Sequence, residues 1–211
     1  MHACGHDVHS TCALGAAIIL NSIKDQFEGT VKIIFQPGEE VLPGGASLMI
    51  KEGVLENPKV GAALALHVFT DLEAGQAGFK SGMYMASTDE IYLTVTGKGG
   101  HAAMPGEYNN PILIASEILL ELNKEFPNTA EQKIPTVLAF GKVQANGATN
   151  VIPDSVKIEG TFRTMDEAWR KEAHLKITSI VASVAEKRNA KAELNIMIGY
   201  PFLVNNEEVT K

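Results

Sequence analysis

The stretch "DEIYLTVTG" (residues 89–97) alternates apolar and polar side chains, as a strand does when one face is buried and the other is wet. Further elements are predicted after it. They are a helix, two strands, a long helix and a strand, at 110–126, 136–145, 155–164, 166–189 and 191–199. The resulting order, β-α-β-β-α-β, predicts a ferredoxin-like domain over residues 87–199.

The first part of the chain alternates helix and strand in another way. Its predicted elements are helices at 12–27 and 45–53 and strands at 30–37 and 62–68. The apolar run at 62–68 is continuous, as in a strand covered on both faces, so this part predicts a layer with a parallel sheet. Such a layer begins with strands, whereas this one begins with a loop and a helix.

The organisation along the chain therefore predicts an interrupted domain. Residues 1–86 and 200–211 are expected to be two pieces of a larger α/β domain, with the complete small domain 87–199 between them. On this interpretation the scaffold starts upstream, and Met1 is an internal methionine of a longer chain.

Composition is that of an ordinary globular protein: 211 residues, 45% of them hydrophobic and 20% charged. The net charge of −7 argues against binding nucleic acid or an anionic membrane by bulk electrostatics. No apolar run reaches the roughly 18 residues of a membrane span, and no secretory signal is recognisable. Two cysteines, one of them beside two histidines, indicate a reduced compartment, so the cytoplasm is the expected location.

Residues that can bind metals or move protons occur at four places. Each place ends or follows a predicted strand, where sites form in open α/β sheets. They are "CGHD" (4–7), "QPGEE" (36–40), "LH" (66–67) and "GGHAAMP" (99–105). In the second of them, Gly38 allows a tight turn, so Glu39 and Glu40 point in different directions and one can hold a metal while the other acts on water.

Simpler interpretations exist for each of these residues. An isolated Glu-Glu pair is usually solvated, a lone histidine such as His67 is more often a hydrogen-bonded core residue, and Cys4 alone could be a buried residue or a nucleophile. Because His6 follows Cys4 by two residues, a thiolate–imidazole pair on a metal is the better account.

Three polar residues of the second domain are weaker candidates. His101 follows a Gly-Gly turn, Asn150 precedes a strand and can donate to an oxyanion or carboxylate, and Arg163 ends the next strand with a fork suited to a carboxylate. A surface loop and a solvated arginine explain them as well. His174, on the exposed face of a helix, is expected to be inert, and His9 to cap or pack against the following helix.

The motifs taken together resemble those of the M20 metallopeptidases, in that family's order and spacing. They are "MHACGHDVH", "FQPGEE", "GGASLMIKEG", "ALHV", "GKGGHAAMP", "NPILIASEIL", "TNVIPDSVKIEGTFRT" and "GYPFLVNNEE". The branch that looks most similar is that of the N-acyl-amino-acid amidohydrolases, including hippurate hydrolase-like and auxin-conjugate hydrolase-like enzymes. The resemblance covers essentially all 211 residues.

The resemblance implies a catalytic domain with two divalent ions (zinc, manganese, cobalt or nickel), interrupted by a ferredoxin-like lid through which two copies form a homodimer. The implied reaction hydrolyses the amide bond of an N-acyl amino acid, with a hippurate-like or N-acetyl group, to a carboxylate and an amino acid. Residues 1–86 would belong to the catalytic domain.

Residue roles follow from the same resemblance. The implied metal ligands are Cys4, His6, Glu40 and His67. Glu39 would be the general base, and His101 would reach the site of the partner subunit and stabilise the oxyanion. Asn150 and Arg163 would bind the carboxylate or the reacting amide of the substrate.

The sequence also departs from the family. An acidic motif upstream and a fifth ligand, a histidine downstream, are absent from the 211 residues, and Asn110 stands where many relatives have Asp. The chain is therefore expected to be a fragment with an incomplete site, whose strands between 30 and 68 expose apolar surface. Two alternatives remain open: a non-catalytic dimerisation module, and a hydrolase that uses Cys4 as its nucleophile.

Overall fold

The computed structural model describes residues 2–128 and 133–211; Met1, and residues 129–132 of the predicted small domain, lie outside the described part. Its elements are α1 (His6–Ser22), a 3-10 turn (Lys24–Gln26), α2 (Gly45–Lys51), β1 (Gly82–Met85), β2 (Asp89–Thr96), β3 (Gly100–His101), α3 (Pro111–Glu125), β4 (Thr136–Ala145), β5 (Val151–Ile152), β6 (Ser155–Thr164), α4 (Glu167–Lys187), β7 (Lys191–Ile198), β8 (Leu203–Asn205) and α5 (Glu207–Thr210). None of the helices in these ranges is long and apolar enough to cross a membrane.

The chain divides into two compact units, residues 1–79 and residues 80–211. The division falls ahead of residue 86, where the sequence places the boundary. The reason is that β1 pairs antiparallel with β8, with Gly82 opposite Asn205, and this pairing joins residues 80–86 to the end of the second unit.

The first unit contains helices and no strand within its described residues, 2–79. The segments 30–37 and 62–68 do not pair with a neighbour there, so the parallel layer predicted for this part is not observed. A strand is completed by hydrogen bonds to another strand, and an apolar run alone does not supply one. Apolar side chains of both segments are exposed, as expected: Phe35 is 53% and Leu64 85% accessible.

A four-stranded antiparallel sheet organises the second unit. The strand order is β4-β6-β2-β7, and β2 pairs on one side with β6 (Asp89 opposite Phe162) and on the other with β7 (Asp89 opposite Ile198). Since α3 follows β2 and α4 follows β6 along the chain, the main elements have the β-α-β-β-α-β order that the periodicity predicts.

One hydrophobic core fills the second unit, because every second residue of β2 and one face of each long helix are apolar. It contains Ile91, Leu93, Val95, Ile114, Ala115, Ile118, Leu122, Phe126, Leu138, Val156, Ile158, Phe162, Ala173, Ile177, Val181 and Val184. Both helices start at side-chain caps. Asn110 accepts a hydrogen bond from Ile112 N at 3.0 Å, and Asp166 accepts one from Trp169 N at 2.7 Å.

A buried ionic cluster lies at the edge of this core. The Asp89 side chain is fully buried and accepts hydrogen bonds from Arg170 Nε at 2.9 Å and from Arg170 Nη2 at 2.5 Å. His174 Nε2 lies 2.8 Å from Asp89 Oδ2, so the expectation that His174 lies on an exposed face was wrong. The spacing placed His174 on an outer face, but its ring also contacts Phe162 and is largely covered.

The cluster explains the ionisation of Asp89. Burial acts to raise the pKa of this carboxyl, but hydrogen bonds from Arg170, the Gly199 amide and His174 outweigh burial and hold its pKa below the ordinary value. Arg170 was not predicted from the sequence. A signal was present, since Arg170 falls on the same helical stripe as Ala173 and Ile177, and a cation on a buried stripe requires an anionic partner.

Candidate metal centre

Cys4 and His6 lie at the start of α1. Gly5 between them has φ of 77°, in the left-handed region that glycine adopts without strain, and it forms the N-cap of the helix. Because the helix begins at His6, earlier than predicted, His6 and His9 are one turn apart on the same face. Their rings are 5.4 Å apart between centroids.

Glu39 and Glu40 lie in a turn that begins at Gly38, whose φ of 58° matches the tight turn predicted there. The turn is held by a close approach to α2. Gly45, the first residue of that helix, is buried, and a Cβ added to it would overlap the Pro37 carbonyl oxygen. Glycine at this position therefore lets α2 support the loop that carries both carboxylates.

His6 is the residue that these carboxylates approach. His6 Nε2 is 3.7 Å from Glu39 Oε2 and 3.5 Å from Glu40 Oε1. Both glutamate side chains are about half exposed or more, at 49% and 64%, so water and a small substrate can reach them.

The tautomer of His67 is set by a backbone contact. Its Nδ1 lies 2.7 Å from the Val68 carbonyl oxygen, and since a carbonyl only accepts, Nδ1 carries the hydrogen. The lone pair of Nε2 therefore faces Cys4 Sγ at 3.3 Å. Histidines that bind metals are commonly oriented by such a bond from the other ring nitrogen.

His9 supports the same segment from α1. Its Nε2 accepts a hydrogen bond from Val68 N at 3.0 Å, and its ring centroid is 4.5 Å from that of His67. Burial, and then the neighbouring His67 and His6, lower the pKa of His9 and favour the neutral ring that accepts this bond. The sequence alone suggested helix capping or packing for His9, because the contact depends on a residue far away in the chain.

Five side chains from three separate motifs thus form two groups of candidate ligands. The ligand atoms of each group lie within 4.8 Å of one another; the groups are Cys4, His6 and His67, and His6, Glu39 and Glu40. Thiolate, imidazole and carboxylate are the donors that zinc and similar divalent ions take. The donor set therefore fits a divalent metal centre, with His6 common to both groups.

Metal binding to this cluster is expected to weaken as the pH falls. Partial burial, and then the negative Glu40 and Glu39, raise the pKa of the Cys4 thiol, so a metal must displace a proton from it. Below that pKa, this thiol should reduce the affinity by up to about tenfold per pH unit. Zn²⁺ titrations against a coloured chelator over roughly pH 6 to 8 measure the slope. A Cys12→Ser variant should keep the wild-type slope of affinity against pH. In a Cys4→Ala variant the slope should be smaller by one released proton per metal bound. Identical slopes for the two variants would contradict a Cys4 ligand.

In the second unit, the structure brings His101 and Asn150 together. His101 pairs with Val151 between β3 and β5, and Ala102 N donates to the Asn150 carbonyl at 3.0 Å. His101 Nδ1 accepts from Ala103 N at 3.1 Å, so the neutral ring carries its hydrogen on Nε2. The exposed His101 side chain can therefore donate a hydrogen bond to an anion.

Arg163 lies apart from this pair. It sits near the far end of β6, whereas Asn150 and β5 join that strand at its start, and a strand of 10 residues spans roughly 30 Å. The Arg163 side chain is exposed. One substrate molecule the size of an amino acid cannot contact Asn150 and Arg163 of the same chain.

Fold and site together define a class: a mixed α/β protein that gathers metal-ligating side chains around a shared histidine. The chain's family is shown by its match, over residues 1–211, to the family described as Peptidase family M20/M25/M40. The chain belongs to this family, which confirms the resemblance read from the motifs.

Curated relatives are similar over the whole chain. An N-acyl-L-amino acid amidohydrolase from Geobacillus stearothermophilus is 35% identical over 208 residues, covering 99% of this chain and 56% of the relative. The IAA-amino acid hydrolase ILR1-like 5 from Arabidopsis thaliana is 37% identical over 211 residues, covering 98% and 48%. The chain thus spans about half the length of the curated relatives it matches.

A solved structure agrees with the fold. The Bacillus subtilis YXEP protein, described as a dinuclear metal binding peptidase from the M20 family, superposes with a TM-score of 0.76 at 32% identity. The match covers 100% of this chain and 52% of that one.

Proposed function

We propose that the protein hydrolyses the amide bond of N-acyl amino acids with two divalent metal ions, releasing a carboxylate and an amino acid. The observation that carries the proposal is the convergence of Cys4, His6, Glu39, Glu40 and His67 in the first unit. The names of the relatives support the substrate class, since one describes hydrolysis of an N-acyl-L-amino acid and the other of an IAA-amino acid. Hippurate-like and N-acetyl amino acids are the substrates to test first.

The residues have distinct roles in this proposal. Cys4, His6, Glu40 and His67 hold the ions (zinc, manganese, cobalt or nickel), which when bound polarise the amide carbonyl and make water a stronger acid. Glu39 takes the proton of the attacking water and passes it to the leaving amine. His67 donates its Nδ1–H to the Val68 carbonyl oxygen, and this bond fixes the orientation of its ring.

The second unit is proposed to act as a ferredoxin-like lid and as the contact between two copies of the chain. His101 and Asn150 would come to the site from one copy, with His101 Nε2–H donating to the developing oxyanion. Arg163 of the other copy would bind the substrate carboxylate. The separation of Arg163 from His101 and Asn150 supports this division between two copies. The proposed location is the cytoplasm.

A hydrolase with Cys4 as nucleophile is the second candidate, since Cys4 Sγ lies 3.3 Å from His67 Nε2. Nucleophilic cysteines have depressed pKa values that favour the thiolate. The pKa of Cys4 is instead raised, by burial first and by the two glutamates next. A raised pKa disfavours a free thiolate nucleophile, whereas a divalent ion that binds the sulfur displaces the thiol proton itself, so the metal-ligand role is the one proposed.

The test combines metal content with hydrolysis. After dialysis in metal-free buffer, mass spectrometry is expected to find about two divalent ions per chain, and N-acetyl or hippurate-like amino acids should release free amino acid. A Cys4→Ser variant should lose activity that excess metal restores, and failure to restore it would favour the thiol mechanism. Near-zero metal together with no hydrolysis would overturn the proposal in favour of a non-catalytic dimerisation module.

A further inference from the structure

The loop that carries His101 is closed at its neck. Lys98 and Asn109 each donate a backbone N–H to the carbonyl of the other, both at 2.9 Å. The Asn109 side chain also donates to the carbonyls of Arg188 and Asn189, at 2.8 and 3.1 Å. The segment 98–109, the His101 loop, is thus fastened to the end of α4 on its C-terminal side.

Asp154 fastens the N-terminal side of the His101 loop. Its Oδ1 accepts a hydrogen bond from Gly99 N at 2.9 Å, and its carbonyl accepts one from Gly97 N, also at 2.9 Å. The approach is close, since a Cβ on Gly99 would lie 2.6 Å from the Ile152 carbonyl oxygen and 2.8 Å from Asp154 Oδ1. Glycine at position 99 therefore allows the carboxylate to reach the amide.

The strand pairing by itself gives little support to His101. β3 has only two residues, Gly100 and His101, and it pairs with the equally short β5. A ladder of this length supplies few hydrogen bonds, whereas an amide bound to a carboxylate is held more strongly than one bound to a neutral oxygen. Asp154 also follows β5 by two residues, and Asn150 directly precedes β5, so the contact of Asp154 with Gly99 holds the segment next to Asn150 as well.

We propose that Asp154 is a positioning residue: its carboxylate fixes the Gly99 turn and so sets the direction in which His101 and Asn150 project. The role in catalysis rests on the proposed function, in which His101 donates to the oxyanion. Asp154 acts through the loop and does not contact the substrate. Its loss should therefore reduce kcat more than it changes KM, because transition-state stabilisation depends on where the donor lies.

An Asp154→Ala variant tests the proposal at two levels. Amide hydrogen exchange at Gly99 and Ala102 should become roughly tenfold faster, the factor expected when a charge-assisted hydrogen bond is removed. In the metal-loaded protein, kcat for an N-acetyl amino acid should fall by about tenfold or more, with KM little changed. An Asp154→Asn variant, whose neutral Oδ1 still accepts from the amide but less strongly, should recover part of both losses.

The matched control is Asp166→Ala, which removes another aspartate that accepts from a backbone amide, at the start of α4. It should destabilise the second unit without changing exchange at Gly99 or the value of kcat. Unchanged exchange in Asp154→Ala, or an equal loss of kcat in Asp166→Ala, would overturn the proposal. If the wild type shows no hydrolysis, the proposed function fails, while the exchange rates at Gly99 still decide whether Asp154 holds the loop.

Discussion

Replacing Asp89 with alanine is expected to lower the free energy of unfolding of the second unit by about 3–5 kcal/mol. The variant leaves the guanidinium of Arg170, whose side chain is 5% exposed, without its buried counter-charge. It also removes the acceptor for the Gly199 amide and for His174. A loss of this size is a large part of the stability of a typical domain.

Urea denaturation followed by tryptophan fluorescence measures this effect. Trp169 is the single tryptophan of the chain and lies in the same unit, with Nε1 donating to Thr136 Oγ1 at 2.8 Å, so its signal reports on this unit. The control is Glu90→Ala, the next residue of β2, which is exposed and should change the free energy by no more than about 0.5 kcal/mol.

A double variant identifies the cause of the loss. In Asp89→Ala, Arg170 keeps only the partly exposed Glu167 as an ionic partner, at 3.0 Å. If the loss of the buried counter-charge is responsible, Asp89→Ala combined with Arg170→Met should be more stable than Asp89→Ala alone, because the methionine leaves no charge behind. A single-variant loss below about 1 kcal/mol would contradict the assigned role of the pair.

The same cluster predicts a pH dependence. The folded pKa of Asp89 is lower than its ordinary value of 3.8, so its contribution to stability is complete above that value. As the pH falls below 3.8 towards the depressed folded pKa, the contribution is lost. The Asp89→Ala variant should therefore lose less stability than the wild type over this acidic range.

Glu39→Gln and Glu40→Gln are expected to fail in different ways, and this pair has the largest expected effect on activity. Glu39→Gln should keep its metal and lose roughly 10²–10⁴-fold in kcat, the usual contribution of a general base. Glu40→Gln should bind metal more weakly, by more than the roughly 10–100-fold typical of residues that only support a ligand.

The two variants can be compared directly, because Glu39 and Glu40 are chemically identical neighbours at similar distances from His6 Nε2. Each variant removes one carboxylate and preserves side-chain volume. Metal affinity is measured by chelator competition and kcat by release of the amino acid at saturating metal. The opposite pattern, with metal lost from Glu39→Gln and kept by Glu40→Gln, would exchange the two roles. Metal binding and activity equal to those of the wild type in both variants would refute the proposed centre.

Much of the second unit follows from the sequence, because its signals are local. The period of two along β2 and the helical spacing along α3 and α4 are properties of short segments, and the helix starts are marked by Asn110 and Asp166. The candidate ligands can also be predicted from the sequence, since few kinds of site combine cysteine, histidine and paired glutamates as in "CGHD" and "QPGEE".

Only the tertiary structure decided the rest, because the deciding partner in each case is distant in the chain. The segments 30–37 and 62–68 have the composition of strands, yet pairing requires a neighbour that composition does not specify. Helical spacing places His174 on an exposed face, and only the fold brings Asp89 against it. Asn150 and Arg163 look like neighbours within one chain until the length of β6 separates them. Local periodicity determines which elements form, whereas burial, strand pairing and convergence on a site depend on contacts between remote residues.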